Sequence, residues 1–173
     1  ILALFLFVFI FSNSFSMEVE DKIRIGVNWE ITDIEFEEKP IEYYLLKRGG
    51  DILGYALETE NYSNINGYSG PINLLIIMDK DNYIQNVIVL SHTETRGFIE
   101  RIYEAGFFNR FKGRSINDIL SENVKIDTIS GATITCDAII EIAKQTLAKF
   151  KNNSEDIKYK GKIRLNYIFL IML

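Results

Sequence analysis

Three observations predict an α+β domain: two hairpin signatures in the first half of the chain, helical spacing from Phe98 onward, and one long amphipathic stretch near the C-terminus. Antiparallel strands come first and helices follow, with no internal repeat. Ile23, Ile25, Val27, Trp29 and Ile31 alternate with polar residues and glycine, which predicts a strand with one buried face. Ile41–Leu46 and Ile52–Glu60 read as two further strands, joined by the glycine-bearing turn from Lys47 to Asp51. Pro71–Met78 and Tyr83–Leu90 flank Asp79-Lys80-Asp81-Asn82 and read as a second hairpin. Asp79 and Asp81 resemble the opening of a calcium loop, but Ile84 stands at the glycine position and no Glu closes it, so a plain turn is expected.

After this the period changes. Phe98, Ile99, Ile102 and Tyr103 have helical spacing, and Gly106 ends that helix. Phe107–Gly113 is expected as a loop and Ser115–Leu120 as a short helical turn. Ile134, Ala138, Ile139, Ile142, Ala143, Thr146, Leu147 and Phe150 then recur every three or four residues, which predicts a helix from Thr133 to Phe150.

The ends differ from the middle. Residues 1–16 begin with the apolar run ILALFLFVFIF and close on Ser14 and Ser16, the pattern of an export signal or, if uncleaved, of a membrane anchor. Residues 17–162 are expected to form the folded domain. Residues 163–173 form an apolar tail behind a basic flank, with two readings: the start of a transmembrane helix or a final core strand.

Composition removes several functions. With 173 residues and 47% hydrophobic content, there is enough chain for one core and not for two. One Cys and one His exclude a Cys-rich zinc site and a disulfide framework, so no metal is expected. Nineteen Lys and Arg stand against 24 Asp and Glu, a net charge of −5 with no basic cluster, which argues against nucleic-acid binding. No triphosphate loop, dinucleotide fingerprint or nucleophile elbow occurs, and no catalytic residue is assigned. His92 is expected as a hydrogen-bonded loop residue, and Cys136 as a small core residue.

The chemistry concentrates where the last helix begins, at Asp127-Thr128-Ile129-Ser130-Gly131-Ala132-Thr133 followed by Ile134-Thr135. Ser130 is the expected N-cap, Gly131 admits a close approach to the backbone, and Thr133 offers a hydroxyl. The amides from Ser130 to Thr135 would face outward at the positive end of the helix. That combination could hold a phosphate, but on spacing alone it reads first as an ordinary capped helix that binds nothing.

Asp127, Ser130, Gly131, Ala132 and Thr133 resemble the flavinylation motif of the FMN-binding domain family, which includes the G subunit of Rnf-type electron-transport complexes and the C subunit of the sodium-pumping NADH:quinone oxidoreductase. Gly67-Tyr68-Ser69-Gly70-Pro71-Ile72, the Asp79–Asn82 turn, and Ser91-His92-Thr93-Glu94-Thr95 with Gly97 resemble further family landmarks in the same order. The family's Glu-Thr-Pro-Gly-Leu-Gly is here Glu94-Thr95-Arg96-Gly97-Phe98-Ile99. Arg96 is either a counter-charge for phosphate or a solvated loop residue.

The resemblance implies FMN held covalently, as a phosphoester on Thr133 that a flavin transferase installs from FAD. Asp127 would serve recognition by the transferase or orient the turn. Tyr68, Phe98 and Tyr103 are candidate walls for the ring, and Glu94 and Thr95 candidate contacts to the ring, ribityl chain or phosphate. An electron carrier is implied, rather than a stand-alone enzyme, working on the extracytoplasmic face of a cell membrane with membrane redox-complex subunits as partners. The alternative is a membrane-anchored regulatory or sensory domain that precedes further transmembrane helices.

Overall fold

The computed structural model describes residues 18–171, with side chains through 155. Its centre is a five-stranded antiparallel meander in the order β1-β2-β3-β4-β5: β1 (Asp33–Glu37), β2 (Tyr43–Arg48), β3 (Asp51–Glu58), β4 (Ile72–Asp79) and β5 (Ile84–His92). The two expected hairpins are both present. Tyr44 pairs with Ala56 across the first, and Leu75 with Ile88 across the second. In the second turn the Asp79 carboxylate accepts the amides of Asp81 at 3.0 Å and Tyr83 at 2.9 Å, while Asn82 takes the left-handed conformation at φ 68°.

Both faces of the sheet are covered, and the strands alternate between two cores. Tyr43, Leu45, Leu74, Ile76 and Met78 face the larger one, together with Phe107, Phe111, Ile139, Leu147 and Phe150. Tyr44, Leu46, Leu75 and Ile77 face the smaller one, together with Val19, Ile23 and Ile31. This is why β4 reads as an unbroken apolar run: residues 72–78 are all buried.

The strand expected over Ile23–Ile31 is not formed. Residues 18–26 are helical (α1), with Val19 and Ile23 buried one turn apart and Ile25 85% exposed. Glu18 and Lys22 form an ion pair at 3.1 Å along its outer face. The end of α1 lies on the sheet, where the Gly26 carbonyl accepts the Asn86 side-chain amide at 2.8 Å. The strand in this region is β1, an edge strand further on.

The second half holds α2 (Arg96–Glu104), a short 3₁₀ turn (Phe107–Arg110), α3 (Ile116–Leu120) and α4 (Thr133–Ile171). The expected loop at Phe107–Gly113 thus contains a 3₁₀ turn that drives Phe107, Phe108 and Phe111 into the core. A capping box starts α3: Ser115 Oγ accepts the Asp118 amide, and the Asp118 carboxylate accepts the Ser115 amide at 2.9 Å. The last helix begins at Thr133 as expected and continues past Phe150. Residues 167–171 belong to it, which removes the reading of that run as a final strand. Ile134 is 59% exposed and does not join the buried face. Among the described residues, no helix is long and apolar enough to cross a membrane. The leader or anchor assigned to residues 1–16 lies outside the described residues.

Candidate functional site

The start of α4 is built by a turn rather than by a capping side chain. The Ala132 amide donates to the Ile129 carbonyl at 2.9 Å, and the first intrahelical bond runs from the Cys136 amide to the Ala132 carbonyl at 3.0 Å. Ala132, not Ser130, therefore occupies the N-cap position, because the chain is still in the turn at Ser130 and Gly131. Alanine has no acceptor to offer, so the first-turn amides of Thr133, Ile134 and Thr135 face outward without helical partners. Gly131 makes the turn possible at φ +80°, a conformation that disfavours any residue with a Cβ.

Beside this helix start is a cavity of about 300 Å³ lined by Tyr68, Phe98, Gly131, Ala132, Thr133, Ile134 and Thr135, at the small end of ligand pockets. Tyr68 and Phe98 meet edge to face, with centroids 5.4 Å apart and planes at 85°, and supply an aromatic wall. The Thr133 hydroxyl is exposed at the rim, with only a long 3.5 Å contact to the Ile129 carbonyl.

Behind the cavity sits a buried carboxylate. Glu94 is 6% exposed; its Oε1 accepts the Ser69 amide at 3.1 Å, and its Oε2 accepts the Thr135 hydroxyl at 3.3 Å. The 67–70 loop and the first turn of α4 are thereby tied to one side chain. At Gly67 in that loop a Cβ would overlap Glu94 Oε1, so a side chain there would have to displace the carboxylate from its two hydrogen bonds. Glu94 works as a brace behind the wall. It is absent from the lining, and so is Thr95, whose Oγ1 lies 3.3 Å from Ser69 Oγ.

The expected site residues divide accordingly. Thr133, Gly131, Ala132, Thr135 and Tyr68 line the cavity with Phe98. Ser130 is exposed at the rim, and Asp127 is exposed further back, where Arg110 donates to its backbone carbonyl. Tyr103 is not a wall: it packs on Phe108 with centroids 4.9 Å apart, and its hydroxyl accepts the Val89 amide at 3.3 Å. Arg96 is paired with Glu100 at 2.7 Å on the outside of α2. His92 is exposed at the end of β5, beside a second cavity of about 370 Å³ that also reaches Asn64 and Asn73. Cys136 is fully buried one turn into α4, and burial pushes its thiol up.

One residue is not legible in the sequence. Arg101, on α2, lays its guanidinium against Gly131, with Nη1 3.5 Å from the Ser130 carbonyl. In the sequence it is one of two cations on the same short helix, and only the fold shows which of them faces the start of α4.

An aromatic slot, a row of outward amides and a guanidinium at the rim place the chain in a class: an α+β domain with a concave surface whose chemistry would suit a flat ring carrying an anionic group. Residues 67–148 match the model of the FMN-binding domain family. It is also similar to proteins named as the G subunit of ion-translocating oxidoreductase complexes. The one from Shewanella loihica is 30% identical over 129 residues, covering 69% of this chain and 59% of the relative. That from Haemophilus influenzae strain PittEE is 33% identical over 119 residues (64% and 56%). That from Cereibacter sphaeroides strain ATCC 17029 is 30% identical over 131 residues (70% and 58%). The chain thus spans less than two thirds of the length of these relatives.

Proposed function

We propose that this domain carries FMN as a phosphoester on Thr133 and relays electrons within a membrane redox complex on the extracytoplasmic side. The carrying observation is the exposed Thr133 hydroxyl at an uncapped helix start beside the Tyr68–Phe98 slot, inside a segment that matches the FMN-binding domain family. The similarity to subunits of ion-translocating oxidoreductase complexes supports the assignment to such a complex.

The residues present fit the group. Gly131 lets the Arg101 guanidinium lie against the backbone at the start of α4, the amides of Thr133 to Thr135 have no helical partners and could donate to an anion, and the aromatic wall suits a planar ring. When bound, FMN supplies reversible transfer of one or two electrons. The chain's own work is positioning. Tyr68 and Phe98 offer a flat aromatic wall on one side of the slot, Glu94 fixes the 67–70 loop against α4, and Thr133 provides the tether. In attachment the Thr133 oxygen forms a bond to the FMN phosphorus of FAD. The P–O–P bond of FAD breaks, AMP leaves, and the hydroxyl proton is released. A flavin transferase would catalyse this step. A tether of this kind has a clear use outside the cytoplasm, where a lost cofactor is not replaced.

The test is co-expression of the full chain with a flavin transferase, followed by peptide mass analysis of the segment from Ile126 to Lys144. The expected result is the mass of one FMN less water, located on Thr133, and its absence from the Thr133→Ala chain. An unmodified peptide from cells that flavinylate a control protein would overturn the covalent assignment.

A further inference from the structure

Arg101 is exposed on α2, and its guanidinium lies at the start of α4 rather than beside a carboxylate. Its guanidinium lies over Gly131 so closely that a Cβ there would overlap Nη1, and its polar contact is the 3.5 Å approach to the Ser130 carbonyl. Other arginines of the domain are committed. Arg96 is paired with Glu100 at 2.7 Å, Arg114 donates to the Arg110 carbonyl at 2.7 Å, and Arg110 donates to the Asp127 carbonyl with its guanidinium over the Phe107 ring. Among the described residues, no carboxylate lies within ion-pair distance of Arg101.

Its place is also one that the helix dipole disfavours for a cation, by the small amount that solvent leaves unscreened at an exposed position. The start of a helix is the positive end of the backbone dipole, where anions are favoured and cations disfavoured. Here the amides of Thr133, Ile134 and Thr135 already face outward, and Arg101 adds a full positive charge beside them. Two positive features converging on one rim become favourable when an anion sits between them.

We propose that Arg101 is the residue that holds the phosphate of the flavin at the mouth of α4, independently of the ester on Thr133. The proposal rests on the FMN reading above and deepens it by naming the group that recognises the phosphate. A guanidinium suits this role because its planar fork offers two parallel N–H donors to phosphate oxygens. The left-handed turn at Gly131 lets the fork lie flush on the backbone. Arg101 thus selects phosphorylated flavin over the bare ring before any covalent bond exists.

The experiment separates phosphate from ring. In the full chain carrying Thr133→Ala, which cannot form the ester, binding of FMN and of riboflavin is measured by quenching of flavin fluorescence, with and without Arg101→Gln. FMN binding is expected to weaken by about 10-fold to 100-fold in Arg101→Gln, the range for a lost charge-assisted hydrogen bond. Riboflavin binding should stay within about 2-fold, and Arg101→Lys should recover part of the FMN affinity because the charge remains while the fork is lost. Circular dichroism melts confirm that each variant folds. Equal weakening of both flavins, or no effect on FMN, would overturn the role of Arg101 while leaving the FMN reading in place. Failure of the Arg101-containing chain to bind FMN would likewise overturn a phosphate site that works independently of the ester, while the FMN reading stands or falls on the peptide mass analysis above.

Discussion

Glu94 and Thr135 are joined by a buried hydrogen bond: the Thr135 hydroxyl donates to Glu94 Oε2 at 3.3 Å, while Oε1 of the same carboxylate accepts the Ser69 amide at 3.1 Å. One side chain therefore sets the distance between the loop that carries Tyr68 and the helix that carries Thr133. Glu94→Ala leaves the buried Thr135 hydroxyl and the partly exposed Ser69 amide short of their acceptor, at a cost of about 1–3 kcal/mol, most of it from the buried hydroxyl. Glu94→Gln keeps an oxygen for one donor, and the Thr135 hydroxyl can rotate to accept from the new amide, so a smaller loss is expected. Urea denaturation of the flavin-free chain should rank the proteins in the order wild type, Glu94→Gln, Glu94→Ala. A Glu94→Ala chain as stable as wild type would show that the brace carries no weight.

The same brace makes opposite predictions for two glycines. At Gly67 a Cβ would overlap the Glu94 carboxylate, whose position is fixed by two hydrogen bonds, so Gly67→Ala should destabilise by about 1–3 kcal/mol through overpacking. At Gly97, in the first turn of α2, nothing lies within 4 Å of an added Cβ. Gly97→Ala should stabilise by about 0.5–1 kcal/mol, because it removes freedom from the unfolded chain and favours the helix. Thermal melts of the two variants should shift in opposite directions, and a downward shift for Gly97→Ala would contradict the open environment described.

The strands and helices that are readable in the sequence are those where one physical signal dominates. The two hairpins carry their own turn chemistry, and the buried face of α4 keeps its period through Phe150. The failure at Ile23–Ile31 has a cause: the alternation is real as a pattern, and Ile23 and Ile31 do reach the core, but Ile23 does so from a helix, in step with Val19 four residues before it, while Ile25 is left exposed. The spacing that matters is four residues, and it begins before the alternating stretch. β1, with the sequence DIEFE, escapes a sequence reading because an edge strand half open to solvent has little apolar content. At the site, Thr133 and its neighbours are readable because they are contiguous. Arg101 is not, since its partner Gly131 lies thirty positions further on and only the packing of α2 against α4 brings them together. Glu94 is recognisable as belonging to the site, but its work as a brace depends on Ser69 and Thr135, whose positions the fold alone determines.

Cys136 is a probe of the closed state of α4. It is fully buried, and burial also pushes the thiol up, so both access and thiolate formation oppose its reaction. A thiol reagent such as a disulfide of nitrobenzoate should modify the native chain only at the rate at which α4 opens, and the denatured chain rapidly, with one equivalent for the single cysteine. Fast native modification would mean that the start of α4 opens readily and would weaken the picture of a rigid rim at Thr133.

The buried phenols make stability fall in alkali. Tyr62 is pushed up to about 12, first by burial and then by the nearby Glu42 charge. Tyr44 is raised still further by burial and by the hydrogen bond it donates to Glu58 at 2.7 Å. In the unfolded chain both ionise near the ordinary tyrosine value of about 10. Between that value and about 12 the unfolded chain releases protons that the folded chain retains, so the folded state loses ground as pH rises. The stabilisation is whole below pH about 10 and shrinks above it, on the order of 1–2 kcal/mol for Tyr62 by pH 12. Two measurements check this. Tyrosinate absorbance in the native chain should rise in two phases, with the buried members of the nine tyrosines ionising only as the fold is lost. Urea midpoints should decline with pH in the wild type and decline less steeply in Tyr62→Phe, which has no proton to lose at that site. Parallel slopes for the two proteins would show that Tyr62 ionises equally well in both states and is not held neutral by its surroundings.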